Sequence, residues 1–161
     1  MAGALGKPAT LTVKRAFFYP PLWFLLNLVS AFTIAWSWPT PMGLPRALQS
    51  TGVALGVLGA ALAVGAAASL QRHRTAVLPF RQPTTLLDRG IFRLSRNPIY
   101  LGEAFILIGV ALRLGEYLPF LIPGLFLFGL NANVIPWEEG ALRSQFGEAF
   151  DRYRQRTRRW L

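Results

Sequence analysis

Arg96-Asn97-Pro98-Ile99-Tyr100-Leu101-Gly102-Glu103 stands where a charged loop gives way to an apolar run, and its reading decides the fold. Proline disfavours the α conformation in the residue before it and suits the first position of a helix, so Asn97 is expected to be extended and a helix to open at Pro98. The first free N–H groups of that helix, on Ile99, Tyr100 and Leu101, carry partial positive charge and can receive a carboxylate. Gly102 leaves room for close approach. Tyr100 and Glu103 are three apart and share a face near the helix mouth. A carboxylate at Glu103, inside an apolar run, is costly unless it faces a wet cavity or a partner.

Outward from this point the chain reads as apolar segments at residues 17–38, 51–70, 98–112 and 117–135. The third is short, since about fifteen residues at 1.5 Å each reach only some 22 Å. Trp38-Pro39-Thr40-Pro41 and Leu114-Gly115-Glu116 mark tight connections. The first segment is too long and too cleanly apolar for a cleaved signal, which leaves a retained span. With 161 residues, 53% of them hydrophobic, the chain is expected to be a single membrane domain at residues 1–161. Its fold class is all-α, a polytopic helical bundle of about four transmembrane spans. Gly52, Gly56, Gly59 and Gly65 offer the second span smooth faces for close helix packing. Asn27 is a polar group in the first span whose ordinary role is a bond to a neighbouring helix.

Charge sets orientation. Of 17 basic residues, Lys7, Lys14 and Arg15 precede the first span, six lie from Arg72 to Arg96, and six from Arg143 onward. Only Arg46 and Arg113 fall on the other side, so both termini and the middle loop are expected in the cytoplasm, which an even number of spans requires. The net charge of +10 interrupts apolar runs instead of forming one patch, which argues against nucleic acid. With no cysteine and a single histidine, His73, no metal site is expected. An Arg-rich, compact chain points to a bacterial inner membrane.

Pro136 is expected to stop the fourth span and start a helix whose first turn holds Trp137, Glu138 and Glu139, where the helix dipole favours acids. The hairpin of the third and fourth spans returns this turn to the membrane face of Pro98, so both can line one pocket. Residues 74–103 and 136–161 then form a cytosolic-edge region. Leu142, Phe146, Phe150, Tyr153 and Trp160 recur at helical spacing among arginines, which predicts a C-terminal amphipathic interfacial helix, attached to headgroups or covering the pocket. Arg93 and Arg96 are placed to pair with a substrate phosphate or carboxylate, or to act as inside-facing topology charges.

The order Thr75 and Pro79, Gly90-Ile91-Phe92-Arg93, Arg96 to Gly102, Glu138-Glu139, then Leu142, Phe146-Gly147, Phe150 and Tyr153 resembles the isoprenylcysteine carboxyl methyltransferase and phospholipid methyltransferase superfamily. The resemblance covers about residues 74–161 and implies an S-adenosyl-L-methionine cofactor at the cytosolic membrane edge. It implies cofactor contacts at Asn97, Tyr100, Gly102, Glu138 and Glu139, to which the helix opening adds Pro98, Ile99 and Leu101. Members close to the isoprenylcysteine enzyme carry histidine where Asn97 stands, whereas phospholipid methyltransferases can carry asparagine there. The expected partner is a lipid or small hydrophobic methyl acceptor within the membrane. For an amine acceptor, Glu103 or Tyr100 is placed to take its proton, and Arg96 completes the candidate catalytic set. Two other readings compete: a nicotinamide-dependent membrane reductase of steroid-reductase-like architecture, and a non-enzymatic membrane scaffold.

Overall fold

A computed structural model describes residues 19–75 and 83–161. The expected start of the first span at Phe17, the basic residues Lys7, Lys14 and Arg15, and Pro79 and Arg81 lie outside them. The described residues are helical, joined by short loops. Helix α1 is Pro20–Ser37, α2 is Arg46–Arg72, α3 is Pro98–Leu114, and α4 is Leu121–Gly129. A π-helical stretch, Leu130–Val134, leads into α5, Ile135–Phe146, and α6 is Glu148–Arg156. Three helices are long and apolar enough to cross a membrane: Pro20–Ser37, Arg46–Arg72 and the continuous Leu118–Phe146. Helix α3, with 17 residues, is shorter and packs among them.

Local chemistry explains the helix ends. Prolines occupy the first turn of α1 and α3, where a missing N–H costs nothing. Asn97 leaves the α region with φ −126° and ψ 57°, and α3 opens at Pro98 as expected. The α3 helix ends at Gly115, whose φ of 68° is left-handed and whose N–H donates to the Ala111 carbonyl.

The fourth span departs from expectation at Pro136. The helix continues through it to Phe146, because the wider π turn just before it takes up the lost N–H and the ring clash within one helix. The predicted single tail helix is likewise divided, at Gly147, whose φ of 51° and ψ of −125° turn the chain between α5 and α6.

Helix α3 sits centrally, with α2 antiparallel along one side and α1 and α4 along the others. The α2–α3 seam is built on absent side chains. A Cβ on Gly59 would lie 2.4 Å from the Gly102 carbonyl oxygen, and one on Gly52 would lie 2.5 Å from that of Gly109. Both pairs are seven residues apart on each helix, the repeat of near-antiparallel left-handed packing. Of α2, only Gly52, Gly59 and Ala66 are buried, and Val53, Val57, Leu58 and Val64 face outward. Leu22, Leu25, Val29, Phe32 and Trp36 of α1, and Leu121, Leu125 and Phe128 around α4, are also exposed, an outer surface suited to lipid.

A main core gathers Trp23 and Ala31 of α1, Tyr100, Ala104 and Leu107 of α3, and Ile122, Phe126, Leu130 and Val134. The Trp23 indole donates to the Phe126 carbonyl at 3.2 Å and lies over Gly129, where an added Cβ would sit 2.8 Å from the ring. Gly129→Ala is therefore expected to destabilise the bundle by about 1–3 kcal/mol, measured as an earlier midpoint of unfolding in denaturing detergent. Asn27 donates to the Trp23 carbonyl of its own helix, not to a neighbouring one as expected, and its Oδ1 is buried without a hydrogen bond.

At the end away from Pro98 the two loops are stitched together. Thr40 receives the N–H of Leu118 on its hydroxyl and that of Tyr117 on its carbonyl, and its own N–H donates to the Glu116 carboxylate. The Met42 N–H donates to the Gly115 carbonyl. This fixes the spacing of α1, α2, α3 and α4 at that end.

Candidate active site

The opposite end holds a cavity. Its walls are the first turn of α3 (Asn97, Pro98, Ile99, Tyr100), the α5 turn (Trp137, Glu138, Glu139), Phe150 and Tyr153 of α6, and the end of α2. A second apolar cluster of Ala66, Phe92, Phe150 and Tyr153, backed by Leu86, Leu87 and Leu142, supports it. The Tyr153 hydroxyl donates to the Phe92 carbonyl at 2.7 Å, and burial pushes its pKa above the usual phenol range, so it stays a donor. Thr75 staples the near loop, accepting the Thr84 N–H on its hydroxyl at 3.1 Å.

Tyr100 and Glu138 meet across the cavity, the phenol donating to the Glu138 carboxylate at 2.8 Å. Glu103 lies one turn further along α3, and its Oε2 is buried with no hydrogen-bond partner. A buried acid oxygen without a donor marks a place where a donor-bearing group can be received. The sequence expectation that Pro98 and Glu138 line one pocket holds in this geometry.

The adjacent acid faces another way. One residue of α-helix is a turn of about 100°, so Glu139 points toward the C-terminal segment. Its Oε1 accepts from Arg96 Nη2 at 2.8 Å and from Arg159 Nε at 3.2 Å, and its Oε2 from Arg159 Nη2 at 2.7 Å. Glu139 borders the cavity, but both its oxygens are already bonded to guanidinium groups.

Other candidates divide similarly. Arg96 Nη1 donates to the carbonyls of Arg154 and Thr157 at 3.1 and 2.6 Å, so this guanidinium is held by the protein, with only its buried Nε unpartnered. The Asn97 amide donates to the Arg159 carbonyl at 3.0 Å. The Leu101 N–H is tied to the Asn97 carbonyl at 2.9 Å and its side chain is buried, which leaves Ile99 and Tyr100 as the N–H groups without an acceptor inside α3. Gly102 allows close approach of α2 rather than of a ligand, because its missing Cβ faces Gly59. Arg93 is exposed and, like Leu101, Gly102 and Glu103, is not among the cavity-lining residues. His73 is exposed, with its ring nitrogen 2.8 Å from the Ser69 carbonyl of its own helix. Among the described residues no group of acids and histidine is arranged to hold a metal ion.

Sequence reasoning missed Arg159, Asn131 and Ser95. Arg159 Nη1 donates to Asn131 Oδ1 at 3.3 Å, and the Ser95 hydroxyl donates to the Arg159 carbonyl at 2.9 Å. Arg158-Arg159 in a basic tail carries no local signal that distinguishes the inward arginine from the outward one.

A bundle of apolar helices, three of them long enough to cross a membrane, with an aromatic-walled cavity at one end where a helix opening meets the Tyr100–Glu138 pair, has the architecture of a membrane protein. Residues 48–149 match the family model described as phospholipid methyltransferase, and the chain belongs to that family. Over 63 residues it is 40% identical to an uncharacterized protein of Haemophilus influenzae, an alignment covering 39% of this chain and 100% of that protein. No solved structure matches it.

Proposed function

We propose that this protein is an S-adenosyl-L-methionine-dependent methyltransferase of the bacterial inner membrane, acting on a lipid or small hydrophobic acceptor, with both termini in the cytoplasm. The observation that carries the reading is the Tyr100–Glu138 hydrogen bond at 2.8 Å beside the open N-terminus of α3. Family membership favours methyl transfer over the nicotinamide-reductase and scaffold readings.

The donor set suits such a cofactor. The N–H groups of Ile99 and Tyr100 can receive a carboxylate, Glu138 offers a carboxylate to an ammonium or ribose hydroxyls, and Phe92, Trp137, Phe150 and Tyr153 present rings to a purine. When bound, S-adenosyl-L-methionine supplies a methyl group already activated by its sulfonium. The residues then have two tasks, alignment and exclusion of water, which together lower a barrier by several kcal/mol. Tyr100 holds Glu138 in place through its hydroxyl. Glu103 lies one turn along α3 behind the cavity lining, and its unpartnered oxygen is the proposed proton acceptor for an amine that enters from the lipid side. Residues 74–103 and 136–161 are the proposed cytosolic-edge cofactor region, and the outer apolar faces admit the acceptor from lipid.

The test is to reconstitute the purified protein in lipid with methyl-labelled S-adenosyl-L-methionine and a hydrophobic extract. Label is expected in an organic-soluble product, and its absence across broad extracts would defeat the proposal. Tyr100→Phe, which removes one hydrogen bond to a charged group, is expected to weaken donor binding about tenfold by equilibrium titration. Unchanged affinity with altered thermal stability would instead assign Tyr100 to packing.

A further inference from the structure

We infer that Arg159 is a positioning residue, which with Glu139 and Arg96 latches residues 157–160 across the turn that opens α3 and so holds the cavity mouth in shape. The three residues before Pro98 are all bonded to this segment. Ser95 Oγ and Asn97 Nδ2 both donate to the Arg159 carbonyl, at 2.9 and 3.0 Å, and the Arg96 N–H donates to the Arg158 carbonyl at 3.0 Å. Arg96 Nη1 adds the Thr157 carbonyl at 2.6 Å. The segment therefore lies against the α3 opening like an added backbone layer.

Glu139 is the pivot of the arrangement. Its carboxylate accepts Arg159 in a two-pronged contact and Arg96 in a third bond, with its side chain only 14% exposed and that of Arg96 only 11%. Planar guanidinium groups match a carboxylate edge to edge, so both direction and distance are fixed. Arg159 reaches Asn131 in the π-helical stretch as well, which ties the segment to the wide turn below α5. Trp160 packs on the core cluster that contains Tyr100. Because Arg96 and Asn97 are themselves cavity walls, releasing the segment displaces the mouth without removing any group proposed to touch the donor. Glu139 then acts through Arg159, whereas Glu138 faces the donor directly.

The kinetic arm of the test rests on the methyltransferase reading, and the cleavage arm does not. In the full-length protein in lipid, Arg159→Gln is expected to raise KM for S-adenosyl-L-methionine about tenfold, with kcat within about twofold. Glu139→Gln should do the same, and the double variant should lose much less than the product of the two single losses, because both changes break the shared Glu139–Arg159 contact. Multiplying effects would show that Glu139 meets the donor by itself and would overturn the inference. In the cleavage arm, trypsin acts at the exposed Arg154, Arg156 and Arg158, and both glutamine variants should be cut about tenfold faster than the parent. Arg159→Lys keeps the charge but loses the fork, and should be cut about threefold faster. This variant supplies the measurement should the glutamine forms not fold. Parental cutting rates in these variants would overturn the latch. Expected cutting rates in a protein that transfers no methyl group would leave the latch standing and remove the enzymatic reading.

Discussion

Glu138→Gln is expected to lower methyl transfer by about 10²–10³-fold, the largest functional loss of any single substitution in the cavity. Glutamine keeps the shape and can still accept the Tyr100 hydroxyl, so the change isolates the charge. Glu139 cannot substitute for it, because its two oxygens are bonded to Arg96 and Arg159. Glu138 is the acid of the pair whose hydrogen bond is to an uncharged phenol, which suits it to the donor contact proposed above. Initial rates with labelled donor at saturating acceptor give the measurement. A glutamine variant within twofold of the parent would remove Glu138 from the mechanism. An equal loss in Glu139→Gln, together with slow trypsin cleavage, would assign the donor contact to the wrong acid.

Gly59→Leu is expected to cost about 3 kcal/mol or more, at the upper end for overpacking. The obstacle is backbone: an added Cβ would lie 2.4 Å from the Gly102 oxygen and 2.9 Å from the Ile106 nitrogen, and neither can rotate away. The α2 helix has little else to hold it, since its buried residues are Gly52, Gly59 and Ala66. Leu70 and Thr75 follow from α2 into the cavity wall, so parting of the seam also opens the site. Gly56→Ala supplies the control, because a Cβ there meets nothing within 4 Å, and its effect should stay within about 0.5 kcal/mol. Unfolding midpoints in denaturing detergent compare the two. Equal midpoints would mean that the seam does not hold α2.

Much of the architecture is legible along the chain because it depends on local rules. Apolar runs long enough for a bilayer mark α1, α2 and the α4–α5 helix, and the restriction that proline imposes on Asn97 places the start of α3 at Pro98. Glycines at 52 and 59 announce close packing, although their partners, Gly102 and Gly109, are named only once the hairpin is assembled. For that reason Gly102 reads in sequence as room for a ligand. Pro136 reads as a stop, but a preceding π turn absorbs its effect, and such a turn has no residue signature strong enough to expect it.

The site is less legible, since its pairings join residues far apart in the chain. Glu138 and Glu139 look equivalent in a string of letters, yet helix phase sends one to Tyr100 and the other to Arg159. Arg96 resembles a substrate anchor beside an apolar run, but its bonds go to the protein's own backbone at Arg154 and Thr157. Which of several tail arginines turns inward depends on the bend at Gly147 and the length of α6, neither of which follows from charge periodicity.

The turn that opens α3 has a consequence for biogenesis. The backbone carbonyls to which its side chains donate lie 58 to 64 residues downstream, at Arg154, Thr157 and Arg159. A chain emerging from the ribosome can zip the α2–α3 glycine seam once Leu114 has emerged, whereas the rim of the pocket must wait for residues beyond 150 to emerge. The seam of the bundle can therefore close before the rim of the pocket is complete.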